Sequence, residues 1–107
     1  MRVALLYFDG CPSWQVAEAR LRDALMAAGV AELVELVEVT TQEQAEQLSF
    51  CGSPSVLVDG HDLFAEPDAA FGMMCRVYST PDGLRGSPTT EQLVDALADI
   101  GRRLGRD

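Results

Sequence analysis

The sequence contains no lysine: its eight basic residues are all arginines, and they face 17 acidic residues, which gives a formal net charge of −9. A surface with this excess of negative charge repels phosphate groups. We therefore expect no nucleic-acid partner and no binding to anionic membranes. Long apolar runs are also missing, since Val3–Phe8 is far too short for a signal peptide or a membrane span. These two absences favour a cytoplasmic protein.

Cysteine is scarce, and the three cysteines are an odd number that makes a poor disulfide framework. In a reducing cytosol such residues are either buried apolar side chains or take part in chemistry. A chain of 107 residues can bury a core without disulfide or metal staples, and its length fits a single domain over residues 1–107. Function is therefore sought around the cysteines.

The pattern of apolar residues predicts an α/β chain with the element order β-α-β-α-β-β-α. The predicted elements are a strand at 3–8, a helix at 13–28, a strand at 32–39, a helix to about residue 50, a hairpin at 55–64 around Asp59-Gly60, and a last helix after Ser87-Pro88 with the apolar stripe Leu93, Leu97, Ile100 and Leu104. Because helices connect the first three strands, these are expected to be parallel, with the fourth antiparallel. Residues 65–86 form a long irregular loop insert, which is usually functional or mobile.

One cysteine and one proline stand at positions that carry chemistry. In "YFDGCPSW", Cys11 follows the first strand and Pro12 fits the first turn of the helix. In "CGSPSV", Pro54 opens the third strand. This order resembles the thioredoxin-like superfamily in its short form, where a Cys-Pro-x-Cys motif follows the first strand and a cis-proline faces it. The resemblance covers residues 2–64 and the last helix.

The resemblance implies a thioredoxin-like four-stranded mixed sheet with helices on both faces, and thiol–disulfide redox activity without cofactor or metal. Cys11 would be the nucleophile, and the partner a protein or small-molecule thiol or disulfide. A cis bond at Pro54 would expose the Ser53 backbone to an extended thiol-bearing peptide. The start of a helix supports this role, because its unpaired N–H groups and positive dipole end favour a thiolate. The nearby Asp9 opposes it, and a free cysteine packed as a small apolar residue is the alternative.

Trp14 stands where the second cysteine of the motif belongs, so Cys11 cannot close a local disulfide. Trp14 is either an aromatic of the core or its rim, or an apolar wall beside the thiol. Cys75 and Cys51 are the candidates for the resolving thiol, and we favour Cys75 because the insert returns to the Cys11 side of the sheet. The single histidine, His61, follows the hairpin turn and is expected at the opposite end.

Two other functions remain open at the level of the sequence. The first is a non-enzymatic thioredoxin-like module that binds a partner through Pro12, Trp14, Ser53 and Pro54. The second is soft-metal or organomercurial handling by Cys11 with Cys75, because the insert "CRVYSTPDGLRGSPT" is similar to that of small thioredoxin-like proteins, some described as alkylmercury lyases. A zinc site is not expected, since no Cys-x₂₋₄-Cys pair is present.

Overall fold

The structure is a computed structural model, and it describes residues 2–66 and 68–103. The helices and strands, in chain order, are β1 (Val3–Tyr7), α1 (Ser13–Ala27), β2 (Val34–Glu38), α2 (Gln42–Gln47), β3 (Ser55–Val58), β4 (His61–Asp62), β5 (Tyr78–Thr80), β6 (Gly83–Arg85) and α3 (Thr90–Arg103). The mixed α/β character and the order of the first six elements, from β1 to β4, agree with the sequence-based prediction, but two further strands precede the last helix. Leu104, which was assigned to the last apolar stripe, lies outside the described residues.

A four-stranded mixed sheet has the order β2-β1-β3-β4. β1 and β2 are parallel, with Val3 opposite Val34, whereas β1 and β3 are antiparallel, with Leu6 opposite Ser55. The prediction that the first three strands are parallel is therefore wrong for β3. Its physical reason is the length of α2: six residues rise only about 9 Å, too little to carry the chain back along a five-residue strand of roughly 16 Å. β3 consequently starts at the sheet edge where β1 ends.

Helices cover both faces of this sheet. α1 and α3 contact each other and pack on one face, where Leu5 and Val56 meet Leu21 and Leu93 in one buried cluster. The opposite face is covered by α2 and the loop after it, with Phe50 fully buried in a second cluster. The two clusters explain why β1 reads as a continuous apolar run, since alternate side chains enter different layers. No helix in residues 2–66 and 68–103 is long and apolar enough to span a membrane.

Turn and cap residues were predicted with uneven success. Asp59 and Gly60 have φ values of 50° and 83°, as a hairpin turn of type I′ requires. α3, however, begins at Thr90 and not at Ser87-Pro88. The hydroxyl of Thr89 accepts from the amide of Gln92 at 3.1 Å, and the Gln92 side chain accepts from the amide of Thr89 at 2.9 Å. Because of this reciprocal capping box, α3 begins at Thr90, two residues after Pro88.

The insert is more ordered than a loop prediction implies. Its second half forms the hairpin β5–β6, with Tyr78 opposite Arg85. Its first half is tied back to the chain around α2, because the amide of Gly72 donates to the carbonyl of Phe50 at 2.9 Å and the side chain of Gln42 donates to the carbonyl of Phe71 at 3.0 Å. These ties hold the segment between them, residues 73–77, against the start of β3.

Candidate functional site

Cys11 lies just beyond the end of β1, two residues before α1 begins. Its amide donates to the carbonyl of Phe8 at 3.2 Å, which closes the turn between strand and helix. The side chain is only 2% exposed, and its thiol donates to the carbonyl of Ser53 at 3.5 Å. The predicted position near the helix start is correct, but Cys11 is a buried residue and not a surface thiol.

Pro54 lies at the same end of the sheet. The Ser53–Pro54 peptide bond is cis, as the resemblance implied. The antiparallel pairing of β3 with β1 puts this bond next to the carboxyl end of β1 and hence next to Cys11. A parallel β3 would have started at the far end of the sheet, away from Cys11. The predicted direction of β3 was therefore inconsistent with the predicted closeness of Pro54 and Cys11.

The backbone of Ser53 is not free to receive a peptide, which corrects the expectation from the sequence. We call residues 74–76 of the insert the strap. The amide of Ser53 donates to the carbonyl of Met74 at 2.7 Å, and the amide of Arg76 donates to the carbonyl of Ser53 at 2.8 Å. Ser53 and Cys75 thus form an isolated parallel bridge. The strap already occupies both hydrogen-bonding groups that an extended partner would use.

The strap brings Cys75 to Cys11. A hydrogen bond with the Cys11 thiol, followed by burial and the charge of Cys11, raises the pKa of Cys75 above its ordinary value of 9.0. The Cys75 thiol is therefore protonated at neutral pH. The two cysteines differ in access: Cys75 is exposed, whereas Cys11 is buried. Both adjoin Ser53, Cys11 through its thiol and Cys75 through the backbone bridge.

Cys51 makes different contacts. Its thiol donates to the carbonyl of Ser49 at 3.6 Å, and it is partly buried. Burial raises the pKa of this thiol, and the negative charge of Asp62 raises it further, against the opposing charge of Arg76. The charged groups that act on Cys51 are thus those of Asp62 and Arg76, and Cys11 is not among them. Cys51 is therefore the weaker candidate for a resolving thiol.

Arg76 anchors the strap, and no sequence pattern distinguishes it from the other arginines. Its side chain is 7% exposed and forms an ion pair with Asp62 at 2.8 Å. The guanidinium also donates to the Ser55 hydroxyl at 3.0 Å and to the carbonyl of Phe64. A buried guanidinium is stable only when its donors are satisfied and its charge is paired. Arg76 therefore locks the strap to the β3–β4 hairpin.

Tyr78 fastens the chain just beyond the strap. Its hydroxyl donates to the carbonyl of Pro54 at 2.6 Å, and its ring lies 4.9 Å from the Arg76 guanidinium carbon and packs edge-on against Phe64. Burial raises the pKa of Tyr78 strongly, while the charge of Arg76 opposes the rise. The phenol consequently stays protonated and keeps donating well above neutral pH.

The remaining predicted positions lie around this centre without entering it. Trp14 stacks on Tyr7, with ring centroids 4.1 Å apart, and packs against the core. This agrees with the expectation of an aromatic residue in the core or at its rim. Pro12 is the exposed N-cap residue of α1. His61 pairs with Val58 at the other end of the sheet, as expected.

The site thus contains two thiols beside Ser53, one buried and one exposed, with a strap paired to the residue before the cis-proline. In residues 2–66 and 68–103, no group of three or more His, Cys, Asp or Glu side chains is arranged to hold a metal ion. Comparison of the chain with protein-family models, with curated proteins and with solved structures finds no match.

Proposed function

We propose that this protein is a thioredoxin-like thiol–disulfide exchange protein whose redox pair is Cys11 and Cys75. The observation that carries the proposal is that both cysteines adjoin Ser53 at the end of β1: the Cys11 thiol donates to the Ser53 carbonyl at 3.5 Å, and Cys75 forms the isolated bridge with Ser53. The sheet order, the antiparallel β3 and the cis bond before Pro54 support the thioredoxin-like assignment. Cys75 thus replaces the missing second cysteine of the motif, although it lies far away in the sequence.

The reaction is a two-electron exchange. A thiolate of the pair attacks one sulfur of a disulfide R–S–S–R, the S–S bond breaks, and R–S⁻ leaves and takes up a proton. The second thiolate then attacks the protein sulfur of the mixed disulfide and expels the other R–S⁻. The products are the Cys11–Cys75 disulfide and two R–SH molecules, and a low-molecular-weight thiol runs the same steps backward to restore the dithiol.

The test is mild oxidation followed by non-reducing peptide mapping. Diamide should convert the wild-type protein and Cys51→Ser to a form with a Cys11–Cys75 linked peptide. Cys75→Ser should form no intramolecular disulfide. A Cys11–Cys51 peptide, or adducts without any internal disulfide, would overturn the pair. Free thiols that persist under diamide would instead favour the non-enzymatic binding module.

A soft-metal site is a second candidate, because two thiols that both adjoin Ser53 suit a cation that accepts two sulfur ligands, such as Hg²⁺ or Cu⁺. One equivalent of mercuric chloride should then protect Cys11 and Cys75 together from alkylation in Cys51→Ser. Protection of neither, or of one alone, would exclude the candidate. Protection of both with no diamide-induced disulfide would favour metal handling over redox exchange.

A further inference from the structure

The two thiols of the pair differ in their exposure to solvent, and this difference determines which thiol an outside molecule reaches first. Cys11 is 2% exposed and lies behind Ser53, to whose carbonyl its thiol is bonded. Cys75, in the strap, is exposed to solvent. Displacement at sulfur requires the two reacting sulfurs to come into line and in contact. An outside molecule therefore reaches Cys75 directly, whereas it reaches Cys11 only after local opening of the strap.

The surroundings of the pair also limit the substrate. An extended polypeptide that adds to a sheet edge needs free backbone N–H and C=O groups. At Ser53 both groups are taken by the strap, and Ser53 is completely buried. The ion pair of Arg76 with Asp62 and the hydrogen bond from the Tyr78 hydroxyl to the Pro54 carbonyl hold this arrangement in place. The segment that carries Cys75 thus lies where a peptide substrate would lie.

Resting on the redox pair proposed above, we infer that Cys75 is the thiol that exchanges with substrate, that Cys11 is the resolving thiol, and that the substrate is a low-molecular-weight disulfide. This reverses the roles that the sequence suggested. The strap pairs with Ser53 as a bound peptide would, and its Cys75 is both close to Cys11 and exposed to solvent.

The chemistry follows from this geometry. The Cys75 thiolate attacks R–S–S–R, forms Cys75–S–S–R and releases R–S⁻. Cys11, which adjoins Ser53 as Cys75 does, then attacks the Cys75 sulfur, and the second R–S⁻ leaves. In the reverse direction a small thiolate attacks the exposed sulfur of the internal disulfide, and Cys11 is the leaving group. A second small thiolate then attacks the R sulfur of the mixed disulfide, which releases R–S–S–R and the Cys75 thiolate. No strap opening is needed in either direction.

Two variants isolate the first step. Cys11→Ser/Cys51→Ser keeps only Cys75, and Cys75→Ser/Cys51→Ser keeps only Cys11. Each is treated with hydroxyethyl disulfide, a neutral probe, and the mixed disulfide is followed by mass spectrometry from neutral pH to the alkaline plateau where each thiol is ionised. On the plateau, Cys75 should react at least about tenfold faster than Cys11, since a buried group exchanges only through local opening. In urea the two rates should converge, which controls for intrinsic reactivity.

An equal or faster plateau rate at Cys11 would overturn the role reversal. A second arm compares wild-type protein with hydroxyethyl disulfide and with insulin, a disulfide-bonded polypeptide. Oxidation by the small probe but not by insulin supports the substrate class, and comparable rates overturn it. Failure of the redox pair itself is seen separately, because diamide would then give no Cys11–Cys75 peptide whichever thiol reacts first.

Discussion

Ser53 and Cys75 lie side by side in a parallel bridge, so that the residue before the cis-proline is paired with the residue that carries the second thiol. The hydrogen bonds of this bridge are made by Met74 and Arg76, on either side of Cys75. This arrangement holds the strap backbone beside Ser53, whose carbonyl also accepts from the Cys11 thiol. The stability of the strap and the chemistry of the thiols should therefore change together.

Oxidation of the pair should stabilise the fold. A Cys11–Cys75 disulfide closes a loop of roughly 65 residues, and the lost freedom of the unfolded chain corresponds to about 4 kcal/mol in the free energy of unfolding. Urea denaturation of oxidised and reduced protein measures the difference. Cys75→Ser treated with the same oxidant is the control, and its midpoint should not move. An unchanged midpoint in oxidised wild-type protein would contradict the prediction.

Gly52→Ala should displace the strap. Gly52 has a φ of +111°, and a Cβ there would lie 3.0 Å from Cγ of Met74 and 3.1 Å from its carbonyl oxygen. Gly60→Ala is a matched control, because its φ is +83° but the added Cβ meets no atom within 4 Å. Both variants carry the backbone strain of about 1 kcal/mol. Only Gly52→Ala should also slow formation of the Cys11–Cys75 disulfide; equal rates in the two variants would separate the strap from the chemistry.

Arg76→Met should destabilise the protein by about 3–5 kcal/mol, because it leaves the largely buried Asp62 carboxylate without its partner. Arg2→Met is the control, since Arg2 pairs with Glu35 on the surface and its loss should cost less than about 1 kcal/mol. Urea denaturation compares the two. The double variant Arg76→Met/Asp62→Leu should recover part of the loss. A double variant no more stable than the single one would mean that Arg76 acts through its other contacts.

Tyr78 should make stability fall at alkaline pH. Burial raises its folded pKa above the ordinary 10.0, so its contribution is complete below pH 10 and is lost as pH rises toward the folded value. The free energy of unfolding should fall by up to about 1.4 kcal/mol per pH unit from this group alone. Tyr78→Phe should be less stable at neutral pH but flatter above pH 10. Parallel curves for the two proteins would show that Tyr78 ionises normally.

Ser53→Ala should be at least as stable as wild-type protein. The Ser53 hydroxyl is buried and has no hydrogen-bond partner among the described residues, a state that costs about 1–3 kcal/mol. Because the strap binds only the Ser53 backbone, the disulfide should form at the same rate in Ser53→Ala. Thermal denaturation and the diamide reaction measure the two effects. A slower reaction at unchanged stability would reveal a role for the hydroxyl.

Local patterns made much of the fold predictable. The apolar run of β1, the amphipathic α1 with Gly29 at a φ of +72° after its end, and the Asp59-Gly60 turn each depend on neighbours in the sequence. Cys11 and Pro54 were placed correctly because they belong to a recognisable order of elements. These features need no knowledge of distant contacts.

Features that depend on distant contacts were not predictable. The direction of β3 follows from how far α2 carries the chain, and the burial of Arg76 follows from Asp62 on the hairpin. The choice of Cys75 was made from topology, but its place beside Ser53 depends on Gly52 leaving room for Met74. Nothing in the sequence around Cys75 indicates that the strap forms hydrogen bonds with the backbone of Ser53.

The strap is covalently part of the chain, and this makes the meeting of Cys75 and Cys11 unimolecular. A tethered group of this kind acts at an effective concentration on the order of millimolar or above, whatever the dilution of the protein. A free thiol must approach that concentration before it competes with Cys11 for the Cys75 sulfur. If the proposed exchange operates, mixed disulfides on Cys75 should therefore be short-lived in dilute thiol and accumulate only when the surrounding thiol pool is abundant and oxidised.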